Sequence, residues 1–196
     1  MEAASTPSPA KADLRRVALA GRDAIPADVR AAAAQALSAR PFPLDVAPGS
    51  VVAGFSPMRS EINPWPLLRR LADDGVRLAL PIVMGRGRPL VFRAWAFGEP
   101  LRAGVWGIRE PLATAAEVRP DIVIAPLAAF DRSGHRIGYG AGYYDLTLRA
   151  LRAEKTITAA GVAFAAQEIS HVPFTTRDEP LDLVLTEREI IDCRRT

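Results

Sequence analysis

The chain has 196 residues, 49% hydrophobic and 24% charged, with 25 Lys plus Arg against 22 Asp plus Glu. That balance suits a soluble globular domain and leaves a formal charge of only +3, without the dense basic tract that a nucleic-acid partner asks for. A single cysteine, Cys193, excludes an intrachain disulfide and a cysteine-rich zinc site, and no apolar run approaches the ~18 residues of a transmembrane helix.

Residues 1–9 are small and polar around Pro7 and Pro9 and read as a flexible tail, without the apolar stretch of a secretory signal. Residues 10–196 are expected to form one domain of a cytoplasmic protein. Ser8 and Pro9 have the chemistry of an N-cap and a first helical residue, for a helix running to Asp23. Ala10, Leu14, Val17 and Ala18 make its apolar face; Lys11, Arg15 and Arg22 make a second stripe at spacings of four and seven. A second helix follows Pro26 and ends at Pro41.

From there strands and helices alternate. Strand 51–55 precedes a helix over 63–75, with Asn63 as cap and Gly75 as stop. Strands 76–83 and 90–95 flank a "GRGR" turn, and the capping-box spacing of Thr114 and Glu117 predicts a short helical turn. "DIVIAPL", 121–127, is continuously apolar, as in a strand covered on both faces. A loop over 128–141, a helix over 142–154 and strands at 156–164 and 181–187 complete the pattern. Strands separated by helices predict an α/β fold, a three-layer α/β/α domain around a mostly parallel sheet.

The segment "HRIGYGAGYYD", 135–145, joins strand 121–127 to the following helix. Ligands of open parallel sheets settle beyond the carboxyl ends of the strands, and a helix N-terminus there suits phosphate. The G-x-G-x-G spacing is neither the dinucleotide fingerprint nor a Walker A loop. By itself it reads either as a phosphate cradle or as a glycine-rich turn over packed tyrosines.

The wider string "PDIVIAPLAAFDRSGHRIGYGAGYYDLTL" resembles the signature of the 5-formyltetrahydrofolate cyclo-ligases, also called 5,10-methenyltetrahydrofolate synthetases. Their form F-D-x-x-G-x-R-L-G-x-G-x-G-Y-Y-D is met by Phe130, Asp131, Gly134, Arg136, Gly138, Gly140, Gly142, Tyr143, Tyr144 and Asp145, with Ile137 for leucine. "KADLRR", "SPMRSEI", "GIREP" and a C-terminal pattern holding Gln167, Pro173, Asp178, Asp182 and Glu187 fall in family order. The resemblance runs from Lys11 to Glu187.

It implies a NagB/RpiA/CoA-transferase-like fold and an ATP- and Mg²⁺-dependent conversion of 5-formyltetrahydrofolate to 5,10-methenyltetrahydrofolate, ADP and phosphate. Carried over by position, Lys11, Arg15, Arg136, Ile137, Gly138, Tyr139, Gly140, Ala141, Gly142, Tyr143 and Tyr144 would line ATP. Ser56, Glu61 and Tyr144 would bind the folate, Arg136 and Tyr144 would serve the chemistry, and Asp145 and Asp178 would hold Mg²⁺. Trp65, Trp95 and Trp106 offer either pterin-stacking surface or core, and His135 and His171 read as surface or loop residues. Ala141, Leu146, Ala128 and Ala129 depart from common family choices without removing a ligand. The alternative is a non-catalytic folate- or nucleotide-binding relative. A monomer without nucleic-acid or membrane partners is expected.

Overall fold

The computed structural model describes residues 9–194; Ser8 and residues 1–8 of the tail lie outside them. Two helices, α1 (Pro9–Asp23) and α2 (Ala27–Ala39), precede β1 (Val51–Ala53), α3 (Trp65–Asp73), β2 (Arg77–Ile82) and β3 (Val91–Ala94). Then come β4 (Leu101–Ala103), β5 (Arg109–Pro111), β6 (Glu117–Val118), β7 (Ile122–Pro126), β8 (Ala129–Phe130) and β9 (Arg136–Ile137). Helix α4 (Tyr143–Glu154), β10 (Thr158–Val162), β11 (Leu183–Leu185) and β12 (Ile190–Asp192) follow.

Eight strands form the central sheet in the order β12-β11-β10-β7-β1-β2-β3-β6. From β11 to β2 every pairing is parallel, while β12, β3 and β6 join antiparallel at the edges. The period of two explains the layers. Val52, Ile122, Ile124, Val162 and Leu185 meet Ala33, Ala34 and Leu37 of α2 and Leu67, Leu68 and Leu71 of α3. Val123, Ala125, Ala159 and Val184 face the other way, onto Leu148 and Leu151 of α4. Alanines Ala53, Ala79, Ala125 and Ala159 keep that second face shallow, which lets the leucines of α4 seat directly on the sheet. The three-layer reading holds.

Helix α1 belongs to neither layer. Its Leu14, Ala18 and Leu19 pack on Ala128, Ala129, Ile137 and Val172, so it lies over the segments that leave β7. Val17, expected on the apolar face, is 60% exposed. A helix laid across loops buries only a narrow arc, and the arc from Leu14 to Leu19 excludes position 17. At 3.6 residues per turn that same arc contains Lys11, Arg15 and Arg22, so the basic stripe faces inward rather than to solvent.

Two local expectations change. The Thr114–Glu117 segment forms no helical turn; Glu117 enters β6, which pairs with β3, and its carboxylate bonds Arg119 at 2.7 Å. Pairing with a sheet edge satisfies this backbone better than one isolated turn would. The loop over 128–141 contains a hairpin, with Ala129 opposite Ile137 and Phe130 opposite Arg136. Asn63 stands one residue before the N-cap, which is Pro64, and its side chain accepts from the Trp65 N–H at 3.0 Å; Gly75 follows the end of α3 with φ of 84°.

Candidate active site

Two loops leave the carboxyl ends of neighbouring parallel strands. One runs from β7 through the β8–β9 hairpin to the glycines and α4; the other runs from β1 through Ser56 and Glu61 to α3. Asp131 shapes the hairpin: Oδ1 accepts from the Ser133 and His135 N–H groups at 2.9 and 3.2 Å, and Oδ2 from Val172 N–H at 2.9 Å. Gln167 braces its start, donating to the Leu127 and Ala128 carbonyls, both at 2.9 Å. These two signature positions therefore hold the scaffold.

In the glycine loop, Gly140 (φ 95°) and Gly142 (φ 70°) adopt left-handed backbone that side chains resist. A Cβ at Gly138 would meet nothing within 4 Å, so open space lies against that backbone. Arg15 crosses the loop, its Nε donating to the Gly138 carbonyl at 2.6 Å and its guanidinium lying 3.5 Å from where a Gly140 Cβ would stand. Ile137 is buried beneath, while Ala141 and Tyr143 remain half-buried.

The two predicted metal carboxylates are both held by cations of the protein. Lys11 Nζ donates to Asp178 Oδ1 at 2.6 Å, and Asp178 Oδ2 accepts from the Thr175 N–H and hydroxyl at 2.8 and 3.0 Å. Burial works to raise the Asp178 pKa, but the Lys11 hydrogen bond and the Thr175 donors outweigh it, and the net shift is downward. Arg136, 7% exposed, donates to Asp145 Oδ1 at 2.6 Å and to the Glu179 carbonyl. The same Oδ1 accepts the Glu179 N–H at 3.1 Å, so the residue after Asp178 is tied to Asp145. Among the described residues no group of three or more His, Cys, Asp or Glu gathers in a metal-holding cluster. The adjoining Asp145 and Asp178 are hard oxygen donors that fit a cation sharing phosphate oxygens and water, as Mg²⁺ usually does.

Glu61 is the opposite case. It is 8% exposed; Oε2 accepts the Met58 N–H at 2.7 Å, but buried Oε1 has no hydrogen-bond partner. Burial raises the Glu61 pKa, opposed by the neighbouring Tyr139 hydroxyl, the Met58 N–H and the Arg22 charge. Ser60 accepts from Arg22 Nε at 2.9 Å and donates to Asp23, so the end of α1 grips this loop. Arg22, only 3% exposed, also donates to the Tyr139 hydroxyl. Tyr144 stands near both groups: burial first, then the Glu61 charge, drive its pKa far up, against the pull of Arg136. Ser56 is buried, 8% exposed, on the same loop.

The three tryptophans part company. Trp95 is buried core, and the half-buried Trp65 and Phe97 pack against it at centroid distances of 5.2 and 4.8 Å. Trp106 is 67% exposed, has φ of 56°, and lies 6.1 Å from the Tyr143 ring. Among the described residues the other non-glycine residue at positive φ is Arg59, two positions before Glu61. Backbone strain of this kind gathers at ligand loops. His171 is exposed, whereas His135 is half-buried and stacks on Phe174 at 3.7 Å. The open groove of about 450 Å³ lined by Asn63, Trp65, Arg69 and Phe97 contains neither the glycine loop nor an orphaned polar atom.

Comparison with known proteins supplies the family. The family described as the 5-formyltetrahydrofolate cyclo-ligase family matches residues 7–187. The chain belongs to that family. A 5-formyltetrahydrofolate cyclo-ligase of Mycolicibacterium smegmatis is 32% identical over 94% of this chain and 97% of its own length. The cyclo-ligase of Escherichia coli K12 is 32% identical over 71% of this chain and 79% of its own. The solved 5,10-methenyltetrahydrofolate synthetase of Aquifex aeolicus superposes with a TM-score of 0.78 at 26% identity, covering 95% of this chain and 94% of that one.

Within this cyclo-ligase framework Lys11, Arg15, Gly138, Arg136, Asp145 and Asp178 converge on one end of the sheet, and Glu61 and Tyr144 adjoin them. The reading of spacing alone passed over Arg22 and the side chain of Tyr139. Their only signal was the inward stripe of α1, which becomes visible once the buried arc of that helix is known.

Proposed function

We propose that the chain converts 5-formyltetrahydrofolate to 5,10-methenyltetrahydrofolate at the expense of ATP. The observation that carries this reading is the orphaned Oε1 of buried Glu61. An unpaired acceptor in such a place is costly unless a ligand supplies the donor. A pterin offers a matched pair, the amino and ring N–H groups of its 2-aminopyrimidinone edge, on the scale of a carboxylate. Trp106, exposed beside Tyr143, supplies a flat surface for the same ligand.

The phosphates would lie along Lys11, Arg15 and the Gly138–Gly142 backbone, whose N–H groups lead into α4. Lys11 then leaves Asp178 for phosphate, and the freed carboxylate, with Asp145, is where Mg²⁺ would be held. That ion supplies charge neutralisation on the transferring phosphoryl group. The remaining work is positioning. The formyl oxygen attacks the γ-phosphorus, the bond to the β-phosphate oxygen breaks, and ADP leaves. N10 adds to the activated carbon and loses its proton; the carbon–oxygen bond then breaks, releasing phosphate and leaving the methenyl bridge. Tyr144, kept neutral by its raised pKa, is a hydrogen-bond donor for the formyl or phosphoryl oxygen. Arg136 steadies Asp145 from within.

The test mixes protein, 5-formyltetrahydrofolate, ATP and Mg²⁺ and follows the near-ultraviolet absorbance of the methenyl product. A rise that requires both ATP and Mg²⁺ supports the reading. No rise with intact folate binding moves it to the binding-only relative.

A further inference from the structure

Tyr139 occupies a variable slot of the glycine motif, and its side chain, 39% exposed, ties the loop to α1 through Arg22. Its backbone lies between Gly138 and Gly140, where the phosphates would sit. Its ring leaves the loop toward Glu61, and its hydroxyl accepts from buried Arg22, whose guanidinium also lies 5.6 Å from the ring centroid. Arg22 Nε meanwhile holds Ser60, the residue before Glu61. With its acceptor role taken by Arg22, the hydroxyl has its proton to offer the neighbouring Glu61 carboxylate, whose charge and hydrogen bonding act on it, while Oε1 itself has no partner.

We infer that Tyr139, anchored by Arg22, is a positioning residue that couples the folate site to the nucleotide loop, so that each substrate tightens the binding of the other. The inference rests on the proposed cyclo-ligase reading. A loop with glycine on both sides of residue 139 has few restraints of its own, because each glycine adds backbone freedom that binding must remove. A pterin on Glu61 fixes the carboxylate, the carboxylate and Arg22 fix the Tyr139 hydroxyl, and the ring then holds the backbone between Gly138 and Gly140. ATP meets a loop whose ordering cost is already met, which is positive cooperativity. Linkage requires the same factor in the opposite direction. Groups facing this junction are Arg22 and Asp23 from α1, Ser60 and Glu61 from the β1 loop, and Tyr144 from α4. None of the others reaches the glycine backbone from between two glycines.

The test measures the dissociation constant of 5-formyltetrahydrofolate by calorimetry, alone and with saturating Mg²⁺ and the non-hydrolysable β,γ-methylene ATP, and then the reciprocal pair. In the unmodified protein each ligand is expected to tighten the other about fivefold or more. Tyr139→Phe keeps the ring and removes the hydroxyl; its coupling factor is expected to fall toward one. Arg22→Lys keeps the charge but cannot serve Ser60 and Tyr139 together, and is expected to do the same, without further loss in the double variant. A coupling factor of one in the unmodified protein overturns the inference. So does an unchanged factor in Tyr139→Phe, even if both binary affinities weaken. Failure of the cyclo-ligase reading looks different, since the unmodified protein would then give no methenyl product at all.

Discussion

The two loops at this end of the sheet handle carboxylates in opposite ways. In the β7 loop and its neighbours, Asp145 and Asp178 are each paired with a cation at 2.6 Å. In the β1 loop, Glu61 is buried with one oxygen unpaired. A paired carboxylate is ready for exchange: its cation can move to an incoming phosphate while the acid accepts a metal. An orphaned one waits for neutral N–H donors, because bringing in another full charge would require a second desolvation. On the proposed function, this contrast would separate a nucleotide region from a pterin region with side chains alone.

The strongest way to break this contrast is Asp145→Asn. Turnover is expected to fall about a hundredfold or more, with far-ultraviolet circular dichroism unchanged because Asn can still accept from Arg136. Near-normal turnover at limiting Mg²⁺ would take Asp145 out of the metal site. Next in size, Glu61→Gln should raise the KM for 5-formyltetrahydrofolate about ten- to a hundredfold, as expected for loss of a charged hydrogen-bond acceptor. The KM for ATP should move far less.

Glu61→Gln also sharpens the comparison through stability. The Glu61 pKa is raised above its ordinary 4.5. The stability its carboxyl lends is therefore complete below the unfolded value and lost as pH rises through the folded one. The Gln variant should melt higher than the unmodified protein near neutrality, and the gap should close as pH falls toward 4.5. An equal gap at all pH values would mean that the charge is not the cause.

Lys11→Ala is expected to raise the KM for ATP about tenfold, the loss of one charge-assisted contact, and that for folate little. Equal effects on both would instead report damage to α1. For Asp178 the sign reverses: its pKa lies below the ordinary 3.8, so its contribution is present above that value and lost as pH falls through the folded one. The Lys11→Ala deficit in melting temperature should shrink in acid. The smallest effect is expected from Trp106→Ala, a few-fold in the folate KM with unchanged melting, since that ring is 67% exposed.

Much of the fold was legible in the chain. A continuous apolar run marked β7, Gly75 marked the end of α3, and the glycine run lay where a strand feeds a helix. Short strands such as β6, β8 and β9 were not, because two residues carry no period and pair only when a partner strand is already present. Val17 misled for a related reason: helical periodicity gives a face, but the width of the buried arc belongs to whatever the helix lies on.

The site divides along the same line. Residue types and spacing determined that Lys11 and Arg15 share a helix face, that glycines precede α4, and that acids stand at 61, 145 and 178. These depend on neighbours in sequence, which local geometry links directly. Only the tertiary structure decided that Asp145 and Asp178 are paired, that Glu61 Oε1 is not, and that Arg22 joins Ser60 to Tyr139. Those facts depend on burial and on contacts spanning 38 and 117 residues of chain, distances over which no local pattern carries information.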